Sequence, residues 1–189
     1  MIKKTVICDV DGVISNTIGS WLGRYNIDYN DNVQPSDITE WNTHKFLKPE
    51  CGVKIYDYLE DPTLYDEVLP YSIDSLEFCN NMREAGWRIV FATVNPFASA
   101  GAKWRFLIRH GYLNETQKKD YVEIVDKTLL RGVADILIDD GVHNTKAWYE
   151  TAGVPVLFQQ SHNKKDVVPY FHTNDWNYIF DVCNGGYEL

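Results

Sequence analysis

Short apolar runs recur along the chain and alternate with longer amphipathic stretches, the spacing expected of parallel strands joined by helical crossovers. The runs are Thr5-Val6-Ile7-Cys8, Arg88-Ile89-Val90-Phe91-Ala92, Tyr121-Val122-Glu123-Ile124-Val125, Ile136-Leu137-Ile138 and Val154-Pro155-Val156-Leu157-Phe158. Three of them are continuously apolar rather than alternating, as strands covered on both faces should be. The pattern predicts an α/β fold: a parallel sheet of about five strands with flanking helices.

Between Pro70 and Gly86, Ile73, Leu76, Cys79, Met82 and Ala85 repeat every three residues, with proline near the start and glycine past the end of the predicted helix. Ala98–Gly111 reads as a second helix, with Trp104, Leu107 and Ile108 on one face, and His143–Ala152 as a third, closed by Gly153. The tail from Asn163 is weakly patterned, and Trp176, Ile179, Phe180 and Cys183 are expected to dock it as a last short helix. Residues 15–69 differ: aromatics are mixed with Asn, Asp and Pro, which predicts a small, mainly helical insertion over one end of the sheet. The expected organisation is a core of residues 1–14 and 70–189 and an inserted subdomain of residues 15–69.

Composition narrows the function classes. The 189 residues are 44% hydrophobic and 24% charged, values of an ordinary globular protein. Eighteen Lys+Arg against 27 Asp+Glu give a net charge of −9, which disfavours a nucleic-acid polymer as partner but leaves small anions open. No apolar run approaches the roughly 18–20 residues of a membrane span, and Met1-Ile2-Lys3-Lys4 does not open a signal peptide. Cys8, Cys51, Cys79 and Cys183 are far apart and show no zinc-like spacing with the histidines, so reduced thiols in a cytoplasmic protein are the expectation.

The chemistry lies at the strand ends. Val6-Ile7-Cys8 runs into Asp9-Val10-Asp11-Gly12, Ile89-Val90-Phe91-Ala92 into Thr93, and Ile136-Leu137-Ile138 into Asp139-Asp140-Gly141. Ligands of open parallel sheets bind beyond the carboxyl ends of the strands, so four carboxylates and a hydroxyl are delivered to one edge. Such a cluster needs a cation, and an all-oxygen donor set points to Mg²⁺. Asp9 and Asp11, two apart in extended chain, face the same way while Val10 turns inward. A calcium loop is excluded, because aligning Gly12 with that loop's glycine puts Ile7 and Ile18 at its end ligand positions.

These residues resemble the motifs of the haloacid dehalogenase (HAD) superfamily: Asp9-Val10-Asp11-Gly12-Val13 the first, Thr93 the second, a lysine the third and Ile138-Asp139-Asp140 the fourth. Asp126-Lys127-Thr128 ahead of Leu137-Ile138-Asp139-Asp140 is similar to the 5′(3′)-deoxyribonucleotidases, which assigns the third motif to Lys127 rather than Lys103. The chain departs from that family at Thr93-Val94-Asn95-Pro96, where Thr-Ser or Thr-Thr before proline is common.

The resemblance implies a Rossmann-like core with a helical cap, and a Mg²⁺-dependent phosphomonoesterase acting on 5′-deoxynucleoside monophosphates. Asp9 would be the nucleophile and Asp11 the acid and base. Thr93, Lys127 and the backbone N–H groups of Val94 and Asn95 would hold phosphate. Asp9, the main-chain carbonyl of Asp11, and Asp139 would hold the metal, with Asp140 orienting Lys127 or a metal-bound water. Lys103 is expected either to reach phosphate or to lie on a solvated helix face. Trp21, Tyr25, Trp41 and Phe46 are the cap aromatics that could stack on a base. The competing expectations are a phosphatase for another small phosphometabolite and a non-catalytic phosphate-binding module.

Overall fold

The computed structural model describes residues 4–94 and 101–185. Its strands are Thr5–Cys8 (β1), Arg88–Thr93 (β2), Tyr121–Glu123 (β3), Ile136–Asp139 (β4), Val154–Phe158 (β5) and Phe171–Thr173 (β6). They form one sheet in the order β3-β2-β1-β4-β5-β6, parallel throughout. Its order is that of the doubly wound dinucleotide-binding fold, with the chain switching sides beside β1.

The period of two along each strand sorts residues onto opposite faces. Val6, Cys8, Ile89, Phe91, Ile136 and Ile138 enter one buried cluster, while Ile7, Val90, Ala92 and Leu137 pack with Trp148 on the other. Both clusters exclude water, which explains the unbroken apolar runs. The sheet has six strands, one more than the runs announced. Phe171-His172-Thr173 is short, half-buried and at an edge, so it carries no continuous apolar signature.

The helices are Thr17–Tyr29 (α1), Leu64–Glu67 (α2), Asp74–Glu84 (α3), Ala102–Arg109 (α4), Val142–Glu150 (α5) and Trp176–Cys183 (α6). In α3 the buried stripe is Ser75, Phe78, Cys79 and Met82, and Ile73 at the N-cap is 68% exposed. A strict three-residue repeat drifts by about 60° per step around a helix of 3.6 residues per turn, so it cannot stay on one face. In α4 the buried residues are Ala102, Lys103, Phe106 and Leu107, and Trp104 and Ile108 are only partly covered. Residues 98–100 of that expected helix lie outside the described residues. The α5 terminus turns through Ala152 (φ 58°), and a Cβ on Gly153 would fall 2.4 Å from Trp148 Nε1.

Residues 17–67 contain α1, α2 and three 3₁₀ segments, Pro35–Asp37, Thr43–Phe46 and Gly52–Glu60. Trp21, Leu22, Tyr25, Ile38, Leu47 and Ile55 make a separate buried cluster there, whereas Leu64, Tyr65 and Val68 join the main core. The outgoing and returning chains run side by side: Asn16 N–H donates to Leu69 O (2.9 Å) and Tyr71 N–H to Ile14 O (2.8 Å). Among the described residues, no helix is long and apolar enough to cross a membrane.

Candidate active site

The ends of β1 and β4 are stitched together by Asp9 N–H donating to Ile138 O (2.9 Å), which brings Asp9 beside Asp139 and Asp140. Val10 is fully buried, turned into the core. The turn after Asp11 requires Gly12 for two reasons. Its φ is +70°, and a Cβ there would lie 2.1 Å from Asp140 Oδ2.

Lys127 opens a 3₁₀ turn, Lys127–Leu130, whose N-cap Asp126 accepts from Thr128 N–H (2.9 Å) and the Thr128 hydroxyl (2.6 Å). The flanking Asp and Thr therefore bind each other while the lysine is buried between carboxylates. Its Nζ lies 2.9 Å from Asp9 Oδ1 and 2.5 Å from Asp139 Oδ2. Asp139 also accepts from Gly141 N–H (2.8 Å) and from Asn144 Nδ2 (3.0 and 3.2 Å). Of the two roles expected for Asp140, orienting Lys127 falls to Asp139 and Asp9, which leaves the metal-side role. The Asp140 carboxylate faces His162 Nε2 at 3.4 Å, and its backbone carbonyl accepts from Asn163 Nδ2 (2.8 Å).

Across the site, Lys103 is 2% exposed and is no solvated surface lysine. Its Nζ pairs with Asp11 Oδ2 at 2.5 Å, donates to Thr93 Oγ1 at 3.0 Å and also donates to the Val94 carbonyl. Val94 is half-exposed and borders a cavity together with Asp9, Asp11 and Thr93, whereas Asn95 lies outside the described residues. Asp11 Oδ1 accepts from the hydroxyls of Thr17 (2.7 Å) and Tyr65 (2.8 Å).

The electrostatics follow from crowding. If Asp9, Asp11, Asp139 and Asp140 were all ionised, Lys103 and Lys127 would leave two negative charges unbalanced in a largely buried site. Burial pushes Asp9 up from 3.8 to about 7, with Lys127 opposing and Asp139 and Asp11 adding to the rise. Burial likewise drives Asp140 well above the carboxylate range, reinforced by Asp9 and Asp139. Asp11 also suffers burial, but Lys103 and the hydrogen bonds from Lys103, Thr17 and Tyr65 bring it below its ordinary value. Burial opposes the charge on Lys127, yet Asp139 and Asp9 raise its pKa above the usual lysine value. Carboxylate oxygens of Asp9, Asp139 and Asp140 lie within 4.8 Å of one another, and this buried all-oxygen set suits a small hard divalent cation.

A cavity of about 350 Å³ opens above this cluster, within the range of small-ligand sites. Of the four candidate aromatics, Trp21 and Trp41 line it. Tyr25 and Phe46 do not, because they pack into the 17–67 cluster. Tyr56 lines it as well, tilted against Trp21 at 5.5 Å. Trp41 meets His143 and His162 edge-on, at 5.0 and 5.1 Å. Sequence reasoning missed Tyr56, Tyr65, Asn144 and His162. Asn144 was within reach, since it lies in the first turn after Asp139-Asp140. Tyr65 gave no local signal, being 54 residues from Asp11.

A doubly wound parallel sheet with Asp9, Asp11, Lys127 and Asp139 converging at the carboxyl ends of its strands defines a HAD-class phosphatase. Residues 3–183 match the family of 5′ nucleotidase, deoxy (pyrimidine), cytosolic type C proteins, and the chain belongs to that family. It is thereby an enzyme of the 5′-nucleotidase type, hydrolysing phosphomonoesters of nucleotides. It is 30% identical to the 5′(3′)-deoxyribonucleotidase of Clostridium acetobutylicum over 97% of this chain and 96% of that one. In fold it is similar to a haloacid dehalogenase-like hydrolase from Streptococcus pneumoniae, with TM-score 0.63, 10% identity, and 95% and 98% of the two chains covered. It is also similar to the HAD hydrolase YfnB from Bacillus subtilis, a magnesium-bound structure, with TM-score 0.61, 10% identity, and 97% and 100% covered.

Proposed function

We propose that the protein hydrolyses 5′-deoxynucleoside monophosphates in the cytoplasm through an aspartyl-phosphate on Asp9, with Mg²⁺ as cofactor. The observation that carries this reading is the placement of Asp9 and Asp11 between two buried lysines at the floor of an aromatic-walled cavity. A carboxylate oxygen of Asp9 forms a bond to phosphorus as the ester P–O bond breaks, and the electron pair leaves on the nucleoside oxygen. Asp11, ionised while paired with Lys103, acts in its protonated form once Lys103 turns to the bound phosphate. It gives the nucleoside oxygen a proton, then takes one from the water whose oxygen displaces Asp9 from phosphorus. Lys127, Lys103 and Thr93 hold the phosphoryl oxygens, where charge stabilisation contributes most of the catalysis.

Asp9, the main-chain carbonyl of Asp11, and Asp140 would hold the magnesium. Asp139, the expected third ligand, is already committed to Lys127, Gly141 and Asn144, whereas among the described residues the Asp140 carboxylate faces only the distant His162. The bound ion supplies the counter-charge that lets a phosphate dianion approach ionised carboxylates. Residues 15–69 serve as the cap that selects the leaving group, with Trp21, Trp41 and Tyr56 against the base.

The test is phosphate release from 5′-dNMPs, 5′-NMPs, 3′-monophosphates and sugar phosphates, with and without Mg²⁺. The expected result is the highest kcat/KM for a 5′-dNMP and no activity in chelator. A sugar phosphate preferred over every nucleotide would overturn the substrate assignment.

A further inference from the structure

We propose that Tyr65 is a positioning residue that fixes which oxygen of Asp11 handles the proton. The inference rests on the reading of Asp11 as acid and base. Asp11 Oδ1 is anchored by two donors, the Tyr65 hydroxyl at 2.8 Å and the Thr17 hydroxyl at 2.7 Å, with Ser15 Oγ further off at 3.4 Å. Oδ2 points the other way, 2.5 Å from Lys103, whose ammonium also binds Thr93. Oδ2 is therefore the oxygen on the phosphate-holding side, and once Lys103 turns to a bound phosphate it is the oxygen left to carry and return the proton while Oδ1 stays fixed.

The anchor is built rigidly. Tyr65 is 1% exposed, its ring lies 5.5 Å from the Lys103 ammonium, and its backbone carbonyl accepts from Arg109 Nη2 at 2.6 Å. Arg109 and Lys103 both belong to α4, so one helix holds Tyr65 by its backbone and Asp11 by its charge. Thr17 and Tyr65 stand just beyond the paired crossings at residues 14–16 and 69–71, one on the outgoing chain and one on the return. Asp11 thus takes its orientation from both connections to the 17–67 segment. A carboxylate free to rotate about its last bond would still bind Lys103 but would present its proton to the leaving oxygen less often.

The experiment measures the first, phosphorylating half-reaction by single turnover, with a 5′-dNMP and with p-nitrophenyl phosphate, for Tyr65→Phe, Thr17→Val, the double variant and Asp11→Asn. Tyr65→Phe keeps the ring and its packing. It should slow the nucleotide reaction roughly tenfold, a fraction of the about 10²–10⁴ that general acid help supplies, and the p-nitrophenyl reaction less than about twofold. p-Nitrophenolate needs little protonation. The double variant should approach the selectivity of Asp11→Asn, and KM for the nucleotide should change little throughout. If Asp11→Asn is leaving-group selective while Tyr65→Phe slows both substrates equally or neither, the anchoring role is overturned and the acid role stands. If Asp11→Asn itself shows no selectivity, the acid reading falls and the inference with it. A Tyr65→Phe protein that fails to fold transfers the same decision to Thr17→Val, which loses the other donor to Oδ1.

Discussion

Lys127 and Asp139 form a buried ion pair at 2.5 Å, with 3% and 0% of their side chains exposed, and the lysine simultaneously holds Asp9 at 2.9 Å. The two partners are not equivalent. Lys127→Met would strand two carboxylates without a cation and should destabilise the fold by about 3–5 kcal/mol. Asp139→Asn removes one negative charge from a site that has too many, while the amide oxygen can still accept from the lysine. The amide NH2 must then face either Lys127 or the Gly141 N–H, so the metal-free Asp139→Asn protein should lose some stability but clearly less than Lys127→Met, and turnover falls because Lys127 is held less firmly. Thermal melts of both variants check the asymmetry, and equal destabilisation would refute it.

Gly12→Ala places a methyl group where Asp140 Oδ2 now lies, in a backbone conformation that costs an alanine roughly 1–2 kcal/mol. Asp140 must move away from Asp9. Displacement of a positioned group by about 1 Å can cost about 100-fold, and kcat/KM should fall by at least that much. Folding, followed by circular dichroism, should survive, since the clash is with a side chain.

The raised pKa of Asp9 predicts an unusual pH dependence for the metal-free protein. In the folded state Asp9 keeps its proton up to about 7, whereas in the unfolded chain it loses it near 3.8. The native state therefore binds more protons across that window, and stability falls as pH rises through it. Magnesium needs the ionised carboxylate, so the rise in melting temperature on adding Mg²⁺ should be small at pH 5 and grow toward pH 8. A Mg²⁺ shift independent of pH would be inconsistent with Asp9 as a ligand.

Much of this site was legible because backbone geometry carries it. Strands buried on both faces must read as apolar runs, and residues at their carboxyl ends must share an edge, so Asp9, Asp11, Thr93 and Asp139 could be placed together without coordinates. The roles of the two lysines were less legible. Lys103 and Lys127 are both buried, and which carboxylate each meets depends on helix and turn orientation that no local pattern encodes. Asp139 and Asp140 are adjacent, yet one binds Lys127 and the other turns toward His162 and Gly12, a split set by contacts from distant segments. Edge strand β6 escaped because three half-buried residues leave no periodicity, and Ile73 misled because a three-residue repeat is not a helical face.

Substrate selection should separate the cavity aromatics from those that only build the 17–67 segment. Trp41 is 52% exposed and caught edge-on between His143 and His162, so its ring is available to a ligand at little cost to the fold. Base–aromatic stacking is worth about 1–3 kcal/mol, so Trp41→Ala should raise KM for a 5′-dNMP by roughly five- to hundredfold. Hydrolysis of p-nitrophenyl phosphate, which has no base, should barely change. Tyr56→Ala should act in the same direction. Trp21 is different, because its indole N–H donates to the Ile55 carbonyl and its ring is 8% exposed. Its loss should lower the melting temperature as well as raise KM. Phe46→Ala and Tyr25→Phe should leave KM untouched. Tyr25 lies outside the cavity and spends its hydroxyl on Asp31 (2.5 Å) and on accepting from Lys48 N–H (2.9 Å), so removing it should lower stability instead. Kinetics on both substrates with a parallel melt for each variant decide the matter. If Trp41→Ala leaves the nucleotide KM unchanged, the base does not stack there and the cavity admits its ligand in another orientation.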